Sequence, residues 1–150
     1  MADKNKGGAH SLYYVGIGAS AGGLEALDAF FTHMPDDSGL AFIVVQHLSP
    51  DHKSLMVELL SKRTPMPVRR AENGMAVEAN TVYLIPPKKE LTIFHGKLLL
   101  NDFNKRHIPN LPIDTFFRSL AKDQGDRAVG VILSGTGSDG VRGIRAIKEA

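Results

Sequence analysis

Residues 15 to 23 read VGIGASAGG. Two architectures compete for this stretch. In one, Gly16, Gly18 and Ala21 form the glycine-rich turn that holds a dinucleotide pyrophosphate at the start of a helix. In the other, Gly18, Ser20 and Gly22 form a Gly-x-Ser-x-Gly elbow, a sharp strand-to-helix turn that exposes a nucleophile. Both place a buried strand before the glycines and a helix after them, so both require a parallel α/β sheet.

The flanking sequence extends that pattern. YYVGIGAS reads as a short buried strand. Leu27, Phe30, Phe31 and Met34 recur at helical spacing, and Pro35 ends the run. LAFIVVQH is a second buried strand. Ser49 and Pro50 suit a helix start, because proline at the first helical position gives up no needed donor. Leu55, Met56, Leu59 and Leu60 make that helix's apolar face. TVYLIPP is a further strand, and LTIFHGKLLL a hairpin with His95-Gly96 at its tip. Residues 101 to 113 are expected to be a loop. TFFRSLAKDQG is a helix with Asp114 as cap, Gly125 as stop, and Phe116, Phe117 and Leu120 in the core. AVGVILSG reads as a last buried strand. TGSDG and a helix with Val141, Ile144 and Ile147 follow, and Asp139 has the chemistry to cap that helix.

Strands alternating with helices predict a doubly wound, mainly parallel α/β sheet with helices on both faces and a β-hairpin insertion. In such sheets ligands bind beyond the carboxyl ends of the strands. Residues 1–11 are expected to be a flexible tail and 12–150 one domain. The last helical pattern runs to Ala150 without a glycine or cap, so the domain is expected to be incomplete at its C-terminus.

The bulk properties exclude several classes. The 150 residues suit one domain with a real core. The net charge of +2 is too small to argue for nucleic acid. Without cysteine there is no disulfide, thiolate zinc site or cysteine nucleophile. LAFIVV, the longest apolar run, is too short to span a bilayer, and MADKNKGGAHS lacks the apolar core of a signal peptide. A cytoplasmic protein without membrane insertion is the expectation.

The dinucleotide reading demands a carboxylate at the end of the second strand, about 20 residues on. That strand ends in Gln46 and His47, and no acid appears before Asp51. The nucleophile reading demands a base for the serine and a carboxylate to orient the base. His47 ends the second strand, and Asp139 follows AVGVILSG. An alcohol, an imidazole and a carboxylate therefore fall at the ends of three strands. Small residues around Ser20 let the turn close and substrate approach. Each residue also has a plainer reading: Ser20 as a helix cap, His47 as a half-buried histidine, Asp139 as the cap of the last helix. Ser134 and Ser138 lack the elbow frame, and SGTGSDG lacks the lysine of a phosphate loop. His10, His33, His52, His95 and His107 show no metal-ligand spacing.

GIGASAGGLEAL, VVQHLSPDH, AENGMAVEANTVYLIPP, LPIDTFFRSLA and AVGVILSGTGSDG occur in this order. Together they resemble the catalytic domain of the chemotaxis protein-glutamate methylesterases, the CheB type, over residues 14 to 150. The resemblance implies a serine hydrolase that releases methanol from γ-glutamyl methyl esters on chemoreceptors; some members also deamidate glutamine. It implies Ser20 as nucleophile, His47 as base and Asp139 as the orienting carboxylate. Ala21 with Thr136 or Gly137 would supply oxyanion-hole N–H groups. No metal or cofactor is implied. The implied partner is a methyl-accepting chemotaxis receptor.

Only a short tail stands before the matching stretches in this sequence, so control by a linked receiver domain is not expected within this chain. GLAFIVVQHLSPDHKSLMVELL looks more like the methylesterase-like modules at the front of large hybrid signalling proteins, with linked methyltransferase and sensor-kinase segments. A catalytically silent docking module of the same fold is the alternative to the enzyme. The basic pairs Arg69-Arg70, Lys88-Lys89 and Lys105-Arg106 either favour an acidic receptor helix or are solvated surface.

Overall fold

The computed structural model describes residues 12–19, 24–46, 56–86, 89–102, 111–133 and 139–150. In chain order the elements are β1 (Tyr14–Ala19), α1 (Leu24–Thr32), β2 (Ala41–Gln46), α2 (Met56–Ser61), β3 (Val68–Arg70), β4 (Met75–Ala76), β5 (Thr81–Leu84), β6 (Lys89–Phe94), β7 (Lys97–Asp102), α3 (Pro112–Gln124), a short 3-10 turn (Gly125–Arg127), β8 (Ala128–Ile132) and α4 (Val141–Glu149). The expected tail, the Ser49-Pro50 helix start and residues 103–110 lie outside the described residues.

Five parallel strands form the main sheet in the order β3-β5-β2-β1-β8. The side-chain period of two divides β1 and β2 between two cores. Val15, Ile17 and Ala19 with Phe42 and Val44 meet Leu27 and Phe31 of α1 and Met56 and Leu60 of α2. Phe30, Phe31 and Phe42 add edge-to-face ring contacts. On the opposite face Tyr14, Ala41, Ile43 and Val45 meet Ile113, Phe116, Phe117 and Leu120 of α3. A strand covered on both faces must be apolar throughout, which is why YVGIGA and AFIVVQ lack polar alternation.

The glycines of the opening stretch are explained by this packing. Gly16 and Gly18 lie inside β1, on the face covered by α3. A Cβ at Gly16 would meet Phe117 Cε1 at 2.8 Å, and one at Gly18 would meet Ile113 Cγ2 at 2.7 Å. Gly130, paired in register with Gly16, is approached by Ile144 Cδ1 at 2.6 Å. The three glycines form a patch without side chains on adjacent strands, filled by side chains of α3 and α4.

The hairpin forms as expected. His95 and Gly96 adopt positive φ of 52° and 73°, as a two-residue turn between right-twisted strands requires. With β4 it makes a small antiparallel sheet, β4-β7-β6. Asp123 of α3 fastens its tip by accepting the His95 and Gly96 N–H bonds at 2.7 and 3.0 Å.

Several expectations need correction. The loop assigned to residues 101 to 113 overlaps regular structure at both ends, because β7 runs through Asp102 and α3 begins at Pro112. β8 is an edge strand rather than a buried one, and Val129 and Ile132 are exposed. Leu59 is exposed, so the buried stripe of α2 is Met56 and Leu60. Asp114 does not cap its own helix. It is the third residue of α3, whose N-cap is Leu111. Nor does Asp139 cap α4, whose N-cap is Gly140 with no side-chain cap bond. Among the described residues no helix is long and apolar enough to cross a membrane.

Candidate functional site

Parallel strands bring all their carboxyl ends to one rim. β1 ends at Ala19, in register with Gln46, the last residue of β2. On its other side Gly18 pairs with Ile132, the last residue of β8, and its carbonyl accepts the Leu133 N–H at 2.9 Å. Ser20 and His47 follow Ala19 and Gln46 directly in the sequence. Both lie outside the described residues, as do Ala21, Thr136 and Gly137.

Asp139 is described, and it lies at this rim. The Cβ positions of Gly18 and Gly140 meet the same two side chains, Ile113 and Ile132. The start of α4 thus packs against the carboxyl ends of β1 and β8. Asp139 is 2% exposed. Its Oδ2 accepts the Ile113 N–H at 3.0 Å and its Oδ1 the Asp114 N–H at 2.8 Å. The first turn of an α-helix leaves N–H groups without intrahelical acceptors. In α3, Pro112 has no N–H, Asp139 takes the next two, and the Thr115 N–H reaches the Leu111 carbonyl at 3.0 Å. Asp139 is therefore the cap of α3, supplied from 25 residues further along the chain.

Asp114 returns the arrangement. Its Oδ1 accepts the Gly140 N–H at 3.0 Å and the Gly143 N–H at 2.7 Å. These are the two donors that a capping box would satisfy from within a helix. Here one oxygen from a neighbouring helix serves both. The two acids have exchanged helices. Nothing in the sequence marks the exchange, because an acid two residues after Pro112 has the appearance of a local cap.

A carboxylate held this way has little freedom to rotate, and each oxygen has a second lone pair. It can accept an N–H from an imidazole and hold that ring in one tautomer. The rim thus brings together a clamped carboxyl group and two strand ends that Ser20 and His47 follow in sequence. Among the described residues no group of three or more His, Asp or Glu side chains could hold a metal ion. His33 is exposed with Nδ1 2.9 Å from the Ala29 carbonyl, and His95 is in the hairpin turn. Of the basic pairs, Lys89 bonds Asp102, while Arg69 and Arg70 are exposed on β3. Lys88, Lys105 and Arg106 lie outside the described residues.

Comparison with known proteins gives a consistent picture. A family model described as CheB methylesterase matches residues 15–150. A protein-glutamate methylesterase/protein-glutamine glutaminase of Desulfitobacterium hafniense is 34% identical over 140 residues, which cover 90% of this chain and 36% of that protein. One from Xanthomonas campestris is 37% identical over 142 residues, covering 91% of this chain and 39% of that protein. An uncharacterized 104.1 kDa protein of Rhodobacter capsulatus is 47% identical over 95 residues, 63% of this chain and 10% of that one. The crystal structure of the Thermotoga maritima CheB methylesterase catalytic domain superposes with a TM-score of 0.79 at 29% identity, covering 91% of this chain and 75% of that chain. The chain spans well under half the length of the two methylesterases.

Proposed function

Because this chain belongs to the CheB methylesterase family, we propose that it carries the family's serine hydrolase site, with Ser20 as nucleophile, His47 as base and Asp139 as orienting carboxylate. The substrate of this reading is a γ-glutamyl methyl ester on a chemoreceptor, and the products are glutamate and methanol. Glutamine at such positions, which would release ammonia, is the second substrate. The reading places the protein in the cytoplasm, within chemotaxis-type signalling.

The observation that supports it best is the clamped Asp139 carboxylate at the rim where β1 and β8 end. In the proposed reaction Ser20 Oγ attacks the ester carbonyl as His47 takes its proton. The tetrahedral intermediate collapses, and His47 returns the proton to the departing methoxide. A water then repeats the sequence on the acyl-enzyme. Asp139 keeps the imidazole in the tautomer that can accept a proton, and stabilises the imidazolium. Backbone N–H groups of Ala21 and of Thr136 or Gly137 stabilise the oxyanion in this reading. It requires no metal and no cofactor.

A serine-directed phosphonate and methylated receptor together test this function. Labelling is expected at Ser20 and absent in Ser20→Ala, which also loses methanol release by several orders of magnitude. Hydrolysis retained in Ser20→Ala would remove Ser20 from its role. A folded chain with neither labelling nor methanol release would instead be a docking module. Added NAD is expected to leave the melting temperature unchanged, and a saturable rise would restore the cofactor reading.

A further inference from the structure

Asp114 has no step in the proposed reaction, yet it is 5% exposed and its Oδ2 is buried with no hydrogen-bond partner among the described residues. Burying such an oxygen unserved is costly. A native structure that keeps one calls for an explanation.

The bonds of its other oxygen, Oδ1, account for the side chain's place here. The Gly140 N–H that Asp114 holds belongs to the peptide joining Asp139 to Gly140. Asp139 in turn holds the N–H of Asp114 itself. Each carboxylate thus fixes the backbone that carries the other, in a closed ring of hydrogen bonds. A second bond, from the Gly143 N–H, ties the same Oδ1 to the first turn of α4 and prevents the ring from shearing.

We propose that Asp114 is a positioning residue for Asp139. By pinning the peptide between Asp139 and Gly140, it sets the direction in which Asp139 offers its carboxylate to an imidazole. The inference rests on the reading of Asp139 as the orienting carboxylate. Productive geometry tolerates only about 0.5 Å of error in such a group, and a shift of about 1 Å costs on the order of a hundredfold in rate. Asp114 is thereby the residue that converts the meeting of two helix ends into a directed acceptor.

The test uses the whole chain, an alkyl fluorophosphonate as probe of Ser20, and amide hydrogen exchange. Asp114→Ala is expected to lower the maximal labelling rate by about 10- to 100-fold with the half-saturating concentration unchanged. Asp114→Asn, which keeps an acceptor oxygen, recovers most of that loss. In an Asp139→Ala background Asp114→Ala causes no further loss, because nothing remains to be positioned. The Ile113 amide, bonded to Asp139, exchanges faster in Asp114→Ala than amides in the last turn of α3. If Asp114→Ala does not fold, Asp114→Ser, whose shorter side chain withdraws the acceptor, replaces it with the same expectations.

Wild-type labelling in Asp114→Ala, losses that multiply in the double variant, or an unchanged Ile113 amide would each overturn the proposal. The triad reading fails separately, and takes this proposal with it, if Asp139→Ala labels at the wild-type rate or the wild-type chain never labels. Slow Asp139→Ala beside fast Asp114→Ala removes the positioning role alone.

Discussion

At Gly143 the two helices that carry the acid exchange pack tightly. A Cβ there would sit 2.5 Å from Phe117 Cβ and 3.3 Å from Asp114 Cα. Phe117 Cβ is bonded directly to the α3 backbone, so no rotamer change moves it away. Ordinary carbon contacts lie at about 3.5–4.0 Å. Gly143→Ala must therefore push α3 and α4 apart by about 1 Å. The Gly143 N–H bond to Asp114, 2.7 Å in the native chain, would then stretch beyond hydrogen-bonding range. Overpacking costs about 1–3 kcal/mol, and losing a bond to a charged acceptor about 1.5–3 kcal/mol. Alanine's better helix propensity returns about 1 kcal/mol. The net expectation is a destabilisation of about 2–5 kcal/mol. Helix propensity alone predicts the opposite sign, which makes the substitution decisive. In urea unfolding the midpoint should fall by about 1–2 M with the slope unchanged. A midpoint equal to or above the wild-type value would refute the close-packing argument.

Burial raises the pKa of Asp123, but N–H bonds from Gly96, the Gln124 side chain and His95 outweigh it and hold the carboxyl below its usual value of 3.8. A carboxyl depressed in the folded state contributes stability that is complete above its unfolded pKa and is lost as pH falls through the folded one. Wild-type thermal midpoints should therefore decline below about pH 4 more steeply than those of Asp123→Asn, and equal slopes would exclude Asp123 as the source. Tyr83 is buried, and its hydroxyl accepts the Glu78 N–H at 2.8 Å and donates to the Ala76 carbonyl at 3.3 Å. Tyr83→Phe is expected to cost about 1–2 kcal/mol, read from denaturant unfolding; an unchanged midpoint would show these bonds to be replaceable by water. Asn80 has a φ of 58° and accepts the Gly39 N–H through Oδ1 at 2.7 Å. Asn80→Gly keeps the backbone and loses the bond, whereas Asn80→Ala loses both. Thermal melting should rank the variants below wild type with glycine above alanine, and the reverse order would contradict the backbone argument.

Most of the architecture was legible because local physics dictates it. Buried parallel strands must be apolar on both faces, so YVGIGA and AFIVVQ announced themselves. His95-Gly96 between two alternating runs marked a two-residue hairpin, and Gly125 marked the end of α3. Where the sequence misled, the deciding partner was remote. β8 is as apolar as a central strand, and its exposure follows from its place in the strand order, which composition does not encode. Asp114 and Asp139 each lie at the start of a helix, so short-range reasoning assigned each to its own.

What the sequence determined alone was the alternation of elements and the residues that follow the strand ends. Period and turn chemistry act within a few residues and need no partner. The tertiary structure decided which face Gly16, Gly18 and Gly130 present to α3 and α4, and which carboxylate serves which helix. Those outcomes depend on backbones separated by 25 residues or more meeting at van der Waals distance. Unserved N–H groups at a helix start take whichever acceptor the packing brings within 3 Å.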